Sequence, residues 1–182
     1  DVRLSRGLGD VYKRQHLWVS KGNVLEIDKI IYRLSKEITE SEFTNPLLLG
    51  IPRRGDLIAK RISKNLDQLN YAHDIDTVDY LPFRDDLEEE IEKTKLDINP
   101  QERDVILIDD VIYTGRTLRA SIEAVVHTGR PRLISLLCLI DRGHRELPIS
   151  PKFIGKNIPT NEEEYVSVFL KELDDVDKVE VT

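Results

Sequence analysis

"DVILIDDVIYTGRT", residues 104–117, sets an apolar run, two adjacent carboxylates and a glycine flanked by threonines in a single short stretch. Val105, Ile106, Leu107 and Ile108 have the length and character of a buried strand. Beyond the glycine, Leu118, Ile122, Val125 and Val126 follow helical spacing, with Gly129 and Pro131 as stop signals. The stretch therefore predicts strand, tight turn, helix. "NPLLLGI" (45–51) before it and "RLISLLCLI" (132–140) after it read as further buried strands, and "IDTVDYL" (75–81) as another. Between them, "RRGDLIAKRISKNL" (53–66) turns into a helix with Leu57, Ile58, Ile62 and Leu66 on one stripe, and residues 27–38 put Ile27, Ile30, Ile31, Leu34 and Ile38 on another. Apolar runs alternating with amphipathic helices predict an α/β fold, a parallel sheet with helices on its faces.

The chain of 182 residues is the size of one domain. Its single cysteine, Cys138, lies in an apolar run and cannot form an internal disulfide, which suits core packing and a reducing, cytoplasmic setting. No apolar stretch reaches the roughly 20 residues that span a bilayer, so a soluble protein without membrane contact is expected. Residues 1–22 show no sustained period, and the chain contains no methionine. They read as an extension outside the domain, which is expected to occupy 23–182. "FRDDLEEEIEKTKLDINPQER" (83–103) is charged and weakly periodic, and reads as a mobile loop whose "LEEEIEK" is a solvated turn.

The net charge of −7 argues against a chain coated in nucleic acid. Its distribution is uneven. Residues 127–157 hold six basic residues against two acidic ones, whereas eight acidic residues face two lysines from 161 onward, which reads as a solvated acidic tail.

In an open α/β sheet ligands bind beyond the carboxyl ends of the strands, where residues 109–117 fall. A helix beginning near Thr117 offers unpaired N–H groups and the positive end of its dipole; Gly115 lets the backbone approach a phosphate, and Thr114 and Thr117 add hydroxyls. A T-G-x-T alone is an ordinary helix cap. The preceding pair changes the reading, because bare carboxylates would repel a phosphate. Asp109 and Asp110 are suited to accepting hydrogen bonds from neutral hydroxyls or to helping hold a cation, and a sugar 5-phosphate supplies both groups. G-x-x-x-x-G-K-[ST] and G-x-G-x-x-G are both missing, which leaves P-loop and dinucleotide folds unsupported. His16, His73, His127 and His144 lack metal-ligand spacing, so a metal here would be a hard ion such as Mg²⁺.

"VILIDDVIYTGRT" resembles the 5-phosphoribosyl 1-pyrophosphate (PRPP) motif of the type I phosphoribosyltransferases. "GIPRRG" (50–55), "FRDDL" (83–87), "HTGRPRLISLLCLIDRGHRELPI" (127–149) and "FIGKNIPT" (153–160) together resemble the branch of that family that joins uracil phosphoribosyltransfer to attenuation of pyrimidine operons. The resemblance implies the type I phosphoribosyltransferase fold, a central, mainly parallel sheet flanked by helices, with a flexible lid loop and a small hood. By resemblance Asp109 and Asp110 bind the ribose 2- and 3-hydroxyls, Thr114, Gly115, Arg116 and Thr117 cradle the 5-phosphate, and Val111 and Tyr113 belong to the same PRPP site. Arg53, Arg54 and Gly55 match the pyrophosphate loop, although Pro52 and Arg53 stand where the family often has Lys or Thr. Arg84 is placed on the lid as a catalytic residue with Asp109 and Asp110, and Asp141 and Arg142 on the hood that recognises uracil. Mg²⁺ is expected mainly through PRPP, with Asp109 and Asp110 as candidate ligands.

The resemblance further implies uracil, PRPP and the product uridine monophosphate (UMP) as ligands, leader mRNA of the pyrimidine operon as a partner, and a homodimer or homotetramer. The family's RNA-contacting helix matches 27–38, but Asp28-Lys29 stands where an arginine pair is expected, and Lys29, Arg33 and Lys36 are balanced by Glu26, Asp28 and Glu37. RNA contact is therefore expected from Arg130, Arg132, Arg142, Arg145 and Lys152. Three readings stand at this point: a UMP-forming enzyme, an RNA-binding attenuator that senses UMP, and a phosphoribosyltransferase for another base.

Overall fold

The computed structural model describes residues 24–86 and 96–182. Residues 1–22 and all of "LEEEIEK" lie outside the described residues, so the expectations placed on them are not addressed by it.

Helix α1 (Val24–Glu40) leads into β1 (Leu47–Gly50), α2 (Gly55–Gln68) and β2 (Asp74–Thr77), and a 3-10 turn covers Leu81–Phe83. Then follow β3 (Asp104–Ile112), α3 (Arg116–Thr128), β4 (Leu133–Asp141), β5 (Phe153–Asn157), β6 (Val166–Phe169), α4 (Lys171–Asp174) and β7 (Lys178–Val181). The first five strands form one parallel sheet in the order β2-β1-β3-β4-β5. Alternation along each central strand divides the core: Ile106, Ile108, Leu137 and Leu139 pack on α1 and α2, and Val105, Leu107, Leu136 and Cys138 on α3. The expected stripes of α1 and α2 are buried except for Ile30 and Leu57, which pack half-buried at the core's edge, but that of α3 is rotated. Val126 is 57% exposed, and Leu118, Ala120, Ser121, Ala124 and Val125 face the sheet. The small side chains at 120 and 124 let the helix lie close, which turns Val126 outward.

The strand order reverses direction between β1 and β3, and the crevice beyond the carboxyl ends at such a reversal is where open α/β sheets take their ligands. Register places the chemistry there. Gly50, the last residue of β1, lies opposite Ile108, so β3 runs on through Asp109, Asp110, Val111 and Ile112 beyond its neighbour's end. At the opposite end of the sheet Asp104 is buried, accepting hydrogen bonds from the Thr44 N–H at 2.5 Å and the Arg132 Nε at 2.7 Å.

β6 and β7 form an antiparallel hairpin around α4. Here the acidic tail departs from expectation. Asp177 is fully buried, and Arg61 of α2 donates to it at 2.7 Å and to Glu172 at 2.6 Å, while Arg54 reaches Asp174 at 3.3 Å. The carboxylates lie among arginines of α2 and its first turn, and dock the hairpin there instead of standing in solvent. Among the described residues no helix is long and apolar enough to cross a membrane.

Candidate phosphoribosyl site

Two loops enclose the crevice. The one after β1 carries Pro52, Arg53 and Arg54, with a cis Pro52–Arg53 peptide, into the first turn of α2. Gly55 is dictated by contact, because a Cβ there would lie 2.3 Å from the Ile108 carbonyl oxygen. Its bareness lets α2 begin directly beside Asp109. The loop after β3 turns at Gly115, whose φ of +92° suits glycine and which caps α3 without a side-chain bond; the helix starts at Arg116, one residue earlier than expected. Two helix N-termini with unpaired amides thus open on one crevice. A cavity of about 170 Å³ at the second is lined by Asp109, Val111, Ile112, Tyr113, Thr114, Gly115, Arg116, Thr117 and Leu118. That is room for a phosphate group.

Asp109 is 8% exposed, and its Oδ1 accepts the Asp110 N–H at 2.9 Å, as Asp110 Oδ1 accepts that of Val111. Burial first, and then the Asp110 charge, push the Asp109 carboxyl well above the usual range. Hydroxyls or a cation would each relieve that like-charge pair. Among the described residues no cluster of three or more His, Cys, Asp or Glu stands ready to hold a metal. Two carboxylates do suit Mg²⁺, which is commonly held by one or two of them together with substrate phosphates and waters. Cys138, whose thiol burial drives far up, is core.

The other candidates divide. Thr114, Gly115 and Thr117 line the phosphate-sized cavity, but the Arg116 side chain is drawn away, donating to Glu146 at 2.7 Å and Asp85 at 3.2 Å. Its backbone N–H stays at the turn, 3.4 Å from Thr114 Oγ1. Arg53 is exposed at the loop tip, and Arg84 is exposed and bonded to Asp86. Tyr113 is held by packing: the Arg142 guanidinium lies 4.1 Å from its ring centre and the His144 ring meets it edge-on at 6.0 Å. Asp141 turns back on its own segment, accepting from the Gly143 N–H at 2.9 Å and from Arg145 at 2.7 Å.

The expected RNA residues do not form one surface. Arg130 and Arg132 stand at the amino end of β4, with Arg132 on buried Asp104, and Arg142 and Arg145 at its carboxyl end, about 25 to 30 Å away along the strand. Arg142 is 5% exposed and donates to Thr160 Oγ1 at 3.1 Å and to the Glu164 carbonyl. Arg145 donates to the carbonyls of Tyr113, Gly143 and Ile149 at 2.8 to 3.1 Å. Arg142 is buried and Arg145 half-buried, and the carbonyls they bond tie the turn after β3 to the segment after β4. Lys152 is exposed, its ammonium 4.5 Å from the Phe43 ring centre. The sequence reading passed over Arg61, Asp174, Asp177 and Thr160, since nothing in their spacing separates a docking ion pair from surface charge.

A parallel sheet with a crevice at its strand reversal and two helix N-termini beside it define an α/β protein fit to receive an anionic ligand. The model of the phosphoribosyl transferase domain matches residues 22–172, and the chain belongs to this family. Its relatives there are the PyrR proteins: the bifunctional protein PyrR of Streptococcus pneumoniae is 45% identical over 161 residues, 87% of this chain and 93% of the relative. Among solved structures, a hypoxanthine phosphoribosyltransferase of Staphylococcus aureus superposes with a TM-score of 0.66 at 22% identity, covering 87% of this chain and 89% of that one. A hypoxanthine-guanine phosphoribosyltransferase of Bacillus anthracis gives 0.63 at 16% identity, covering 80% and 84%. At such identities these two speak for the fold alone.

Proposed function

We propose that this protein is a cytoplasmic uracil phosphoribosyltransferase that makes UMP and pyrophosphate from uracil and PRPP, and in a second role a UMP-responsive RNA-binding attenuator of pyrimidine biosynthesis genes, working as a homodimer or homotetramer. The observation that carries the enzyme is the projection of Asp109 and Asp110 beyond Gly50 into a crevice flanked by two helix N-termini. Uracil N1 forms its bond to ribose C1 as the C1–O bond to pyrophosphate breaks; pyrophosphate leaves with the electron pair, and the N1 proton passes to it or to water. The turn at 114–117 grips the 5-phosphate, and the carboxylates fix the ribose hydroxyls and favour its developing positive charge. Mg²⁺, carried in on PRPP, would neutralise pyrophosphate oxygens beside Asp109 and Asp110. Arg54 and Arg84 face the leaving group in this reading. The exposed Arg84–Asp86 pair is readily exchanged for a pyrophosphate anion.

Radiolabelled uracil with PRPP and Mg²⁺ tests the enzyme, with hypoxanthine and guanine as parallel substrates. UMP formation is expected; transfer to a purine and none to uracil would overturn the base assignment. Titration of pyrimidine-operon leader RNA with and without UMP tests the second role, and failure to bind under both conditions would leave the enzyme alone.

A further inference from the structure

The Arg54 side chain is tethered at one corner only. Its Nη2 lies 3.3 Å from both Asp174 carboxylate oxygens, its buried Nε has no hydrogen-bond partner, and Nη1 makes no hydrogen bond among the described residues. Asp174 is itself fixed, because its Oδ2 accepts the Leu170 N–H at 2.9 Å and so closes the turn from β6 into α4. The hairpin that presents it is anchored separately through Arg61 on Asp177 and Glu172. Arg54 also caps α2 at the loop beside Asp109. A carboxylate from the far end of the chain therefore holds this guanidinium by one nitrogen, and with the side chain 32% exposed its Nη1 is left for an anion.

We propose that Asp174 is a positioning residue for pyrophosphate recognition: from the C-terminal hairpin it orients Arg54 so that its Nη1 donates to the pyrophosphate group of PRPP. This deepens the phosphoribosyltransferase reading and rests on it. A mobile arginine would have to be ordered by each incoming substrate, and the Asp174 tether makes that ordering part of the fold.

The test uses the full chain. Asp174→Asn keeps an oxygen for the Leu170 N–H but removes the charge. It is expected to raise KM for PRPP about tenfold with kcat within about twofold, and to weaken Mg·PRPP binding in calorimetry by the same factor. In an Arg54→Gln background the same substitution should add nothing, whereas a role confined to hairpin folding would cost as much in either background. PRPP binding needs no base, so the outcome is separate from base choice. Wild-type protein that binds PRPP while Asp174→Asn binds it equally well overturns the positioning role alone. Equal losses in both backgrounds overturn it too. Wild-type protein that binds no PRPP overturns the phosphoribosyltransferase reading with it.

Discussion

Asp109 is a buried carboxyl beside a second carboxylate. Its carboxyl is buried beside the Asp110 charge and holds its proton well above the ordinary carboxylate range. The stability this group lends is full below about pH 3.8, its unfolded value, and is lost as pH rises through the raised folded value. Asp109→Asn imitates the protonated form. Its melting temperature without ligand should therefore exceed that of the wild type by a margin that widens as pH rises above about 3.8 and levels off once the raised folded value is passed; a margin that does not grow with pH would show that the carboxyl is not raised. Asp109→Asn combined with Asp110→Asn should abolish transfer in a folded protein, since both groups are assigned to the ribose. Thr117→Ala removes one hydroxyl from the phosphate cavity and should cost about 1 to 3 kcal/mol of PRPP binding, read in its KM.

At the scale of elements, α2 joins the loop after β1 to the C-terminal hairpin. Arg61 donates to Asp28 on α1 and to Glu172 and Asp177 on the hairpin, and is 15% exposed. Burial raises the Asp177 carboxyl, but the bonds from Arg61 and the Lys171 N–H outweigh it and leave it below its usual value. The stability from this contact is thus present at neutral pH and lost as pH falls through the depressed value. Arg61→Ala strands a buried carboxylate, and about 3 kcal/mol of unfolding free energy should be lost in denaturant titration. A loss under about 1 kcal/mol would show that Lys171 suffices. The ends of β4 impose a second separation. Arg130, Arg132 and Lys152 are more open to solvent than Arg142, and substituting Arg142 should loosen the turn it packs on, read as a lowered melting temperature.

For the whole molecule, one five-stranded sheet brings the loops after β1 and β3 to one crevice, and the described residues begin at 24. We propose that the domain boundary lies near residue 22, so a chain lacking residues 1–22 should keep its melting temperature and its PRPP affinity. A drop of more than about 5 °C, on the order of 1 kcal/mol for a domain near this size, would show that the extension packs on the domain.

Residues 104–117 determined by themselves that a strand, a glycine turn and a helix would follow one another, because the apolar run, the +92° residue and the helical stripe are local requirements written in residue type. Family resemblance added roles for the pair at 109 and 110. What the tertiary structure alone decided is which charges act. Arg142 and Arg145 read as RNA contacts, and the fold adds hydrogen bonds from them to Thr160 and to the carbonyls of Tyr113, Gly143 and Ile149; the acidic segment read as solvated tail and is clamped by Arg61 and Arg54. The physical reason is that a charged side chain reads the same in sequence whether it meets water or a partner more than a hundred positions away. Only the fold sets that distance, and with it the dielectric in which the charge acts.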